Sequence, residues 1–217
     1  MSSGASNVKT MLLIAACIAV ISGCLAWIYF TQFAPPEANA ALHQGIGQVM
    51  AEETSKLLEH KGRVMIVTME TSKAPELNIQ LAAFEKTLKK LGSVTIERKF
   101  TLETDDKPKY RTGAGLSGRR YLRIVQKSAE AQAIVSFVGV PDLTSDEIAK
   151  FEKMPHFVAE VRSVDKLKSL FDKKAIQVAI VSRFEFPAPG TKRPRTPREW
   201  FDNRFQIVTA TNVASLP

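Results

Sequence analysis

Cysteine is nearly absent from this sequence. The 217-residue chain has two, Cys17 and Cys24, and both fall inside one uncharged apolar run. The rest of the chain can therefore form neither a disulfide nor a thiolate metal site, and a packed core must hold it together. Acidic residues are missing from the N-terminal stretch: none precedes Glu37, and Lys9 is the one basic side chain there. Histidine is scarce as well. His43, His60 and His156 have no metal-ligand spacing and no recognisable Ser or Cys nucleophile beside them. This argues against a zinc site and against a triad hydrolase, and it assigns the histidines to surface or capping roles. There is no internal repeat. What is present is globular in composition, 45% hydrophobic and 24% charged, with a net charge of +8. A positive excess of this size suits anionic neighbours or simply a solvated mixed-charge surface.

The uncharged run is MLLIAACIAVISGCLAWIYF, residues 11–30. As a helix it spans roughly 30 Å, the thickness of a bilayer's hydrocarbon core. Trp27, Tyr29, Phe30 and Phe33 gather at its C-terminal end, where aromatic rings favour the membrane interface. Lys9 before the run and Glu37 after it place residues 1–10 in the cytoplasm and the domain outside, at a bacterial inner membrane. A rival exists. Ile21-Ser22-Gly23-Cys24 resembles a lipobox, so lipidation at Cys24 would give an anchored lipoprotein instead. Leu25 to Phe30 stays apolar where a lipoprotein tether is usually polar, which favours the uncleaved helix. A cleavable secretory signal ranks third.

Beyond Ala34-Pro35-Pro36, a stiff spacer, residues 31–61 form a linker and an amphipathic helix over 37–61. In this helix Leu42, Ile46, Val49, Met50, Leu57 and Leu58 share a face, Gly45 and Gly47 weaken the middle and Gly62 ends it. An alternating series follows over 62–186. Strands are expected at 63–70, 93–102, 131–139, 156–162 and 175–183. Helices are expected at 76–91, 118–128, 145–153 and 164–172. The helix over 76–91 is the clearest, with Leu77, Leu81, Phe84, Leu88 and Leu91 on one stripe. Five strands alternating with four helices imply an α/β fold: a doubly wound, mostly parallel five-stranded sheet. The second strand is polar and suits an edge, giving the order 2-1-3-4-5. Residues 187–217 form a Pro-rich basic loop and a C-terminal extension. Thr196 caps a short helix beginning at Pro197, Phe205–Thr209 has the character of a final strand, and 210–217 reads as a tail.

The run from Arg63 to Arg183 resembles one lobe of the periplasmic-binding-protein type I fold, through RVMIVTM, the helix before LGSVTIE, AQAIVSFVG and IQVAIVSR. Members of that family close two lobes on a solute, whereas this chain has room for one lobe plus its extensions, and no binding residue carries over.

In an open parallel sheet a ligand sits at the carboxyl ends of the strands. This singles out Thr68, Glu70 and Ser72 after the first strand and Arg183 after the last. Arg193 and Arg195, interleaved with Trp200, form a second candidate surface for a partner, a glycan or headgroups. Gly113 to Gly118 spells G-x-G-x-x-G, but it does not follow the first strand as a dinucleotide fingerprint must. No cofactor is implied, and no nucleic-acid motif is present. Two functions fit: a non-enzymatic, membrane-anchored interaction module of an envelope complex, with a protein partner or a second copy of itself, or a solute-binding lipoprotein-like protein recognising a small ligand at the strand ends.

Overall fold

The computed structural model describes residues 3–28, 39–70, 74–102, 118–127, 130–140, 143–144, 146–147, 154–185 and 194–217. The chain divides into two compact units, Met1–Glu37 and Ala38–Pro217.

Among its described residues the first unit holds one helix, α1 (Ser3–Ile28). Its described side chains, Met11, Leu12 and Ile14 to Ile28, are all exposed. Among the described residues no helix is long and apolar enough to cross a membrane. Tyr29 and Phe30, the end of the expected span, lie outside them.

The second unit opens with α2 (Ala40–Leu57), whose first turn is capped by Asn39 Oδ1 accepting from the Leu42 N–H at 3.1 Å. Then come β1 (Lys61–Met69), α3 (Pro75–Leu91), β2 (Ser93–Leu102), α4 (Gly118–Lys127), β3 (Ala133–Ser136), β4 (His156–Val161), α5 (Leu167–Asp172), β5 (Val178–Ser182), α6 (Pro197–Arg204) and β6 (Phe205–Val208). A 3-10 turn, Val213–Ser215, follows. The strands form one sheet in the order β2-β1-β3-β4-β5-β6. The first five are parallel, in the expected order. Among the described residues the sheet nevertheless has six strands, because β6 adds antiparallel to β5, pairing Ile180 with Ile207.

Alternation along the buried strands divides the core between two faces. Val64, Ile66, Val135, Val158 and Ile180 pack under α2, α3 and Phe201 of α6. Met65, Val67, Ile134, Phe157, Ala159 and Val181 pack under α4 and α5. Four of the largest core side chains, Phe84, Phe157, Tyr121 and Phe201, are essentially inaccessible to water. Each contributes about 1.5–3 kcal/mol through burial.

Several sequence expectations need correction. Gly62 does not end α2. The helix stops at Leu57, and Glu59 and His60, at φ of 50° and 63°, make the turn into β1, which contains Gly62. Gly45 and Gly47 are contact points and not weak spots: a Cβ at Gly45 would lie 2.2 Å from Pro197 O, and one at Gly47 2.1 Å from Gln80 O. Helix propensity, which condemns glycine, is overridden by close backbone approach. Residues 210–217 are no loose tail, since Val213 is buried and Leu216 packs beside it. The expected helix over 145–153 falls largely outside the described residues. Its start is visible as a capping box: Glu147 N–H donates to Thr144 Oγ1 at 3.3 Å and Thr144 N–H to Glu147 Oε2 at 2.8 Å.

Candidate functional site

The order β2-β1-β3 reverses direction between β1 and β3, the switch point at whose strand carboxyl ends a doubly wound sheet generally takes its ligands. Thr68 lies there, on the α2–α3 face and buried, its Oγ1 donating to Met69 O at 3.3 Å. Glu70, one residue beyond β1, is exposed. Ser136 ends β3 fully buried, its Oγ donating to Gly139 O at 2.7 Å and accepting from the Val138 N–H at 3.3 Å. These bonds fold the chain sharply over the end of β3. Ser72 and residues 113–117 of the glycine-rich run lie outside the described residues.

Arg183 follows β5 but is turned back into the fold. Its Nε donates to Asp202 O at 2.7 Å and Phe205 O at 3.1 Å, and its backbone N–H to Arg204 O at 2.9 Å. It ties the junction of α6 and β6 to the end of the parallel sheet. Arg195 is exposed, and its backbone N–H donates to Glu199 Oε2 at 2.7 Å. Trp200 is half-buried, while its neighbour Phe201 fills the core and stacks on Phe205 with ring centroids 6.0 Å apart. Arg193 lies outside the described residues. The structure therefore brings Thr68 and Glu70 to one end of β1 and places Arg195 and Trp200 around α6.

A polar cluster beside the strand ends was not among the sequence candidates. Glu160 is on β4 and shares the α2–α3 face with Val158, two residues earlier. Burial raises its carboxyl to about 7, against the opposing pull of a hydrogen bond from Gln80 and the positive charge of Arg162, while Glu76 adds to the rise. Gln80, on α3, is 1% exposed, and its Nε2 donates to His43 Nδ1 on α2 at 3.2 Å. Burial lowers the His43 pKa, partly offset by Glu76. The signal for this cluster was present. Glu160 interrupts an apolar strand at an inward position, and Gln80 sits beside Leu77, Leu81 and Phe84 on the buried stripe of α3. His43 is correspondingly a core-edge group and not a surface histidine. Among the described residues no group of three or more His, Cys, Asp or Glu side chains is placed to hold a metal ion.

No family model matches the sequence. No curated protein matches it either. The structure, in contrast, is similar to solved sugar-binding proteins. One is an ABC-transporter solute-binding protein from Burkholderia graminis in complex with D-arabinose (20% identity, TM-score 0.54, 80% of this chain and 62% of that one). Others are an arabinose-binding protein from Geobacillus stearothermophilus (13%, 0.55, 81% and 63%) and a sugar-binding protein from Bacillus halodurans (14%, 0.52, 80% and 64%). The α/β unit has the periplasmic-binding-protein type I fold. The chain spans about three fifths of the length of these proteins. At such identities the likeness concerns the fold and carries no binding residue across.

Proposed function

We propose that this chain is a membrane-anchored, non-enzymatic binding module whose α/β unit takes a small hydroxyl-bearing ligand at the carboxyl ends of its parallel strands. The observation that carries the proposal is the β1–β3 reversal of the strand order, with Thr68 and Glu70 at the end of β1 and the Glu160–Gln80–His43 cluster on the same face of the sheet. Hydroxyl groups both donate and accept, and this set offers carboxylate and carboxamide acceptors beside amide and imidazole donors. The sugar-binding character of the structural neighbours supports this class of ligand. The anchor is the apolar run over 11–30, whose first eighteen residues are helical in α1, with the domain on the extracytoplasmic side.

A second reading is a protein-interaction module of an envelope complex. It is favoured by a groove of about 670 Å³ between α2 and α3, lined by Ile79, Ala82, Ala83, Leu91 and Pro197. Full-length protein in mild detergent, melted against a panel of pentoses and hexoses, separates the two. A sugar that raises the melting temperature of the wild type but not of Thr68→Val or Glu70→Ala supports ligand binding. No shift with any sugar, together with a discrete partner mass in a native mass spectrum, overturns it in favour of the interaction module.

A further inference from the structure

The groove between α2 and α3 has a shape and a charge that together specify an occupant. The two helices approach closely: a Cβ on Gly47 would stand 2.1 Å from Gln80 O and 3.1 Å from Ala83 Cβ. Beside that contact the groove of about 670 Å³ opens to solvent. Along α3 its lining extends from Asn78 to Leu91, roughly 20 Å or between three and four turns. Ile79, Ala82 and Ala83 make this wall apolar and shallow. Leu91, at its end, is 39% exposed, and outside α1 only Phe184 is another exposed large hydrophobic among the described residues. Apolar surface left open in this way marks a contact site.

The walls decide what form the occupant takes. An extended peptide needs backbone partners, and two helix flanks offer few, because their N–H and C=O groups bond along the helix. A helix satisfies its own backbone and can lay an apolar face into such a groove.

Charge decides the occupant's character. The carboxylates nearest the groove are already engaged. Glu52 accepts from Arg198 and from Gln48, each at 2.9 Å, Glu53 is paired with Lys56 at 2.6 Å, and Glu85 is paired with Lys99. Lys86 and Lys90, one turn apart on α3, both line the groove, and neither makes an ion pair among the described residues. The groove therefore presents two uncompensated cations beside an apolar wall. We infer that it seats one amphipathic helix of a partner protein, three to four turns long, with small or aliphatic residues on its buried face and carboxylates toward Lys86 and Lys90. Apolar burial supplies the adhesion, and the two lysines select and orient the partner. This rests on the reading of the chain as an interaction module and is independent of a sugar at the strand ends.

The test uses two stapled helices of about 15 residues, long enough to fill the groove, with one Leu/Ala face and rims of either Glu or Lys. Each is titrated by fluorescence anisotropy against full-length protein in phosphatidylcholine nanodiscs. The Glu-rimmed helix should bind roughly tenfold tighter than the Lys-rimmed one. Lys86→Glu combined with Lys90→Glu should invert that order, and Ala82→Trp, which fills the groove, should weaken both helices. All three positions are exposed, and melting temperatures check that the variants fold. Equal binding of the two helices, binding of neither, or an order that charge reversal leaves unchanged overturns the inference. A wild-type dimer in the native mass spectrum that Ala82→Trp dissolves overturns it in favour of a second copy of this chain. A partner mass from the native membrane that Ala82→Trp retains overturns the groove but leaves the interaction module standing, whereas that broader reading falls only if the wild type carries no partner at all.

Discussion

The backbone of Gly45 runs directly beneath Pro197: a Cβ on Gly45 would stand 2.2 Å from the Pro197 carbonyl oxygen. The residue that begins α6 is thus seated on a glycine about 150 positions earlier. Gly45→Ala should destabilise the unit by about 1–3 kcal/mol, because the overpacked backbone outweighs alanine's better helix propensity. The melting temperature should fall by about 2–4 °C per kcal/mol. A rise, as an exposed helical glycine would give, would show that α6 does not dock here.

The half-buried Trp200 and the core residue Phe201 separate surface from interior at α6. Phe201→Ala should cost about 3–5 kcal/mol, in the range of large-to-small core substitutions. Trp200→Ala should cost clearly less. Urea denaturation of both variants checks the order, and equal losses would place Trp200 in the core as well.

Removing the Arg183 side chain leaves the Asp202 and Phe205 carbonyls without that donor. Arg183→Ala should cost about 1–3 kcal/mol, and its effect should concentrate at β6. Hydrogen exchange resolved by peptide should show β6 opening before β1, whereas uniform loss across the sheet would contradict a local tie.

Glu160 makes stability fall as pH rises. Its carboxyl is raised in the folded protein to about 7 from an ordinary value of 4.5, so its contribution is complete below 4.5 and is lost by the time pH passes about 7. The loss over that window is on the order of 3 kcal/mol. Glu160→Gln should remove this slope, and parallel denaturation curves at pH 5 and 8 for wild type and variant measure it.

Under the proposed anchoring by the apolar run over 11–30, Cys24→Ala should remain in the membrane fraction, since such an anchor would need no lipid. Its release on carbonate-free washing would mean that lipidation of Cys24, and not the helix, holds the chain.

Much of the fold was legible in the sequence, for physical reasons that also mark where reading stopped. The stripe from Leu77 to Leu91 gave α3, and the polar alternation of Ser93–Leu102 gave an edge strand, because both periods are imposed by a one-sided core. Phe205–Val208 was harder to place, since four residues suit a strand in any direction and its pairing with β5 depends on the turn of α6. The site was less legible. Glu160 interrupts an apolar strand, but its partners follow only from β4 facing α2 and α3, and Gln80 and His43 lie 37 residues apart on those two helices. Arg183 carries the signal of a free cation, yet carbonyls of Asp202 and Phe205 claim it, and nothing local in the sequence announces a bond spanning nineteen residues or more.

The seating of α6 on α2 also has a consequence for biogenesis. Residues 40–57 leave the ribosome long before residues 197–204, so α2 cannot complete its packing until residue 204 has been made. Contacts of such high sequence separation form late and slowly. Until then the apolar flank of α2 around Phe201's berth stays uncovered, and a chain truncated before Pro197 should be the species that chaperones hold and proteases clear.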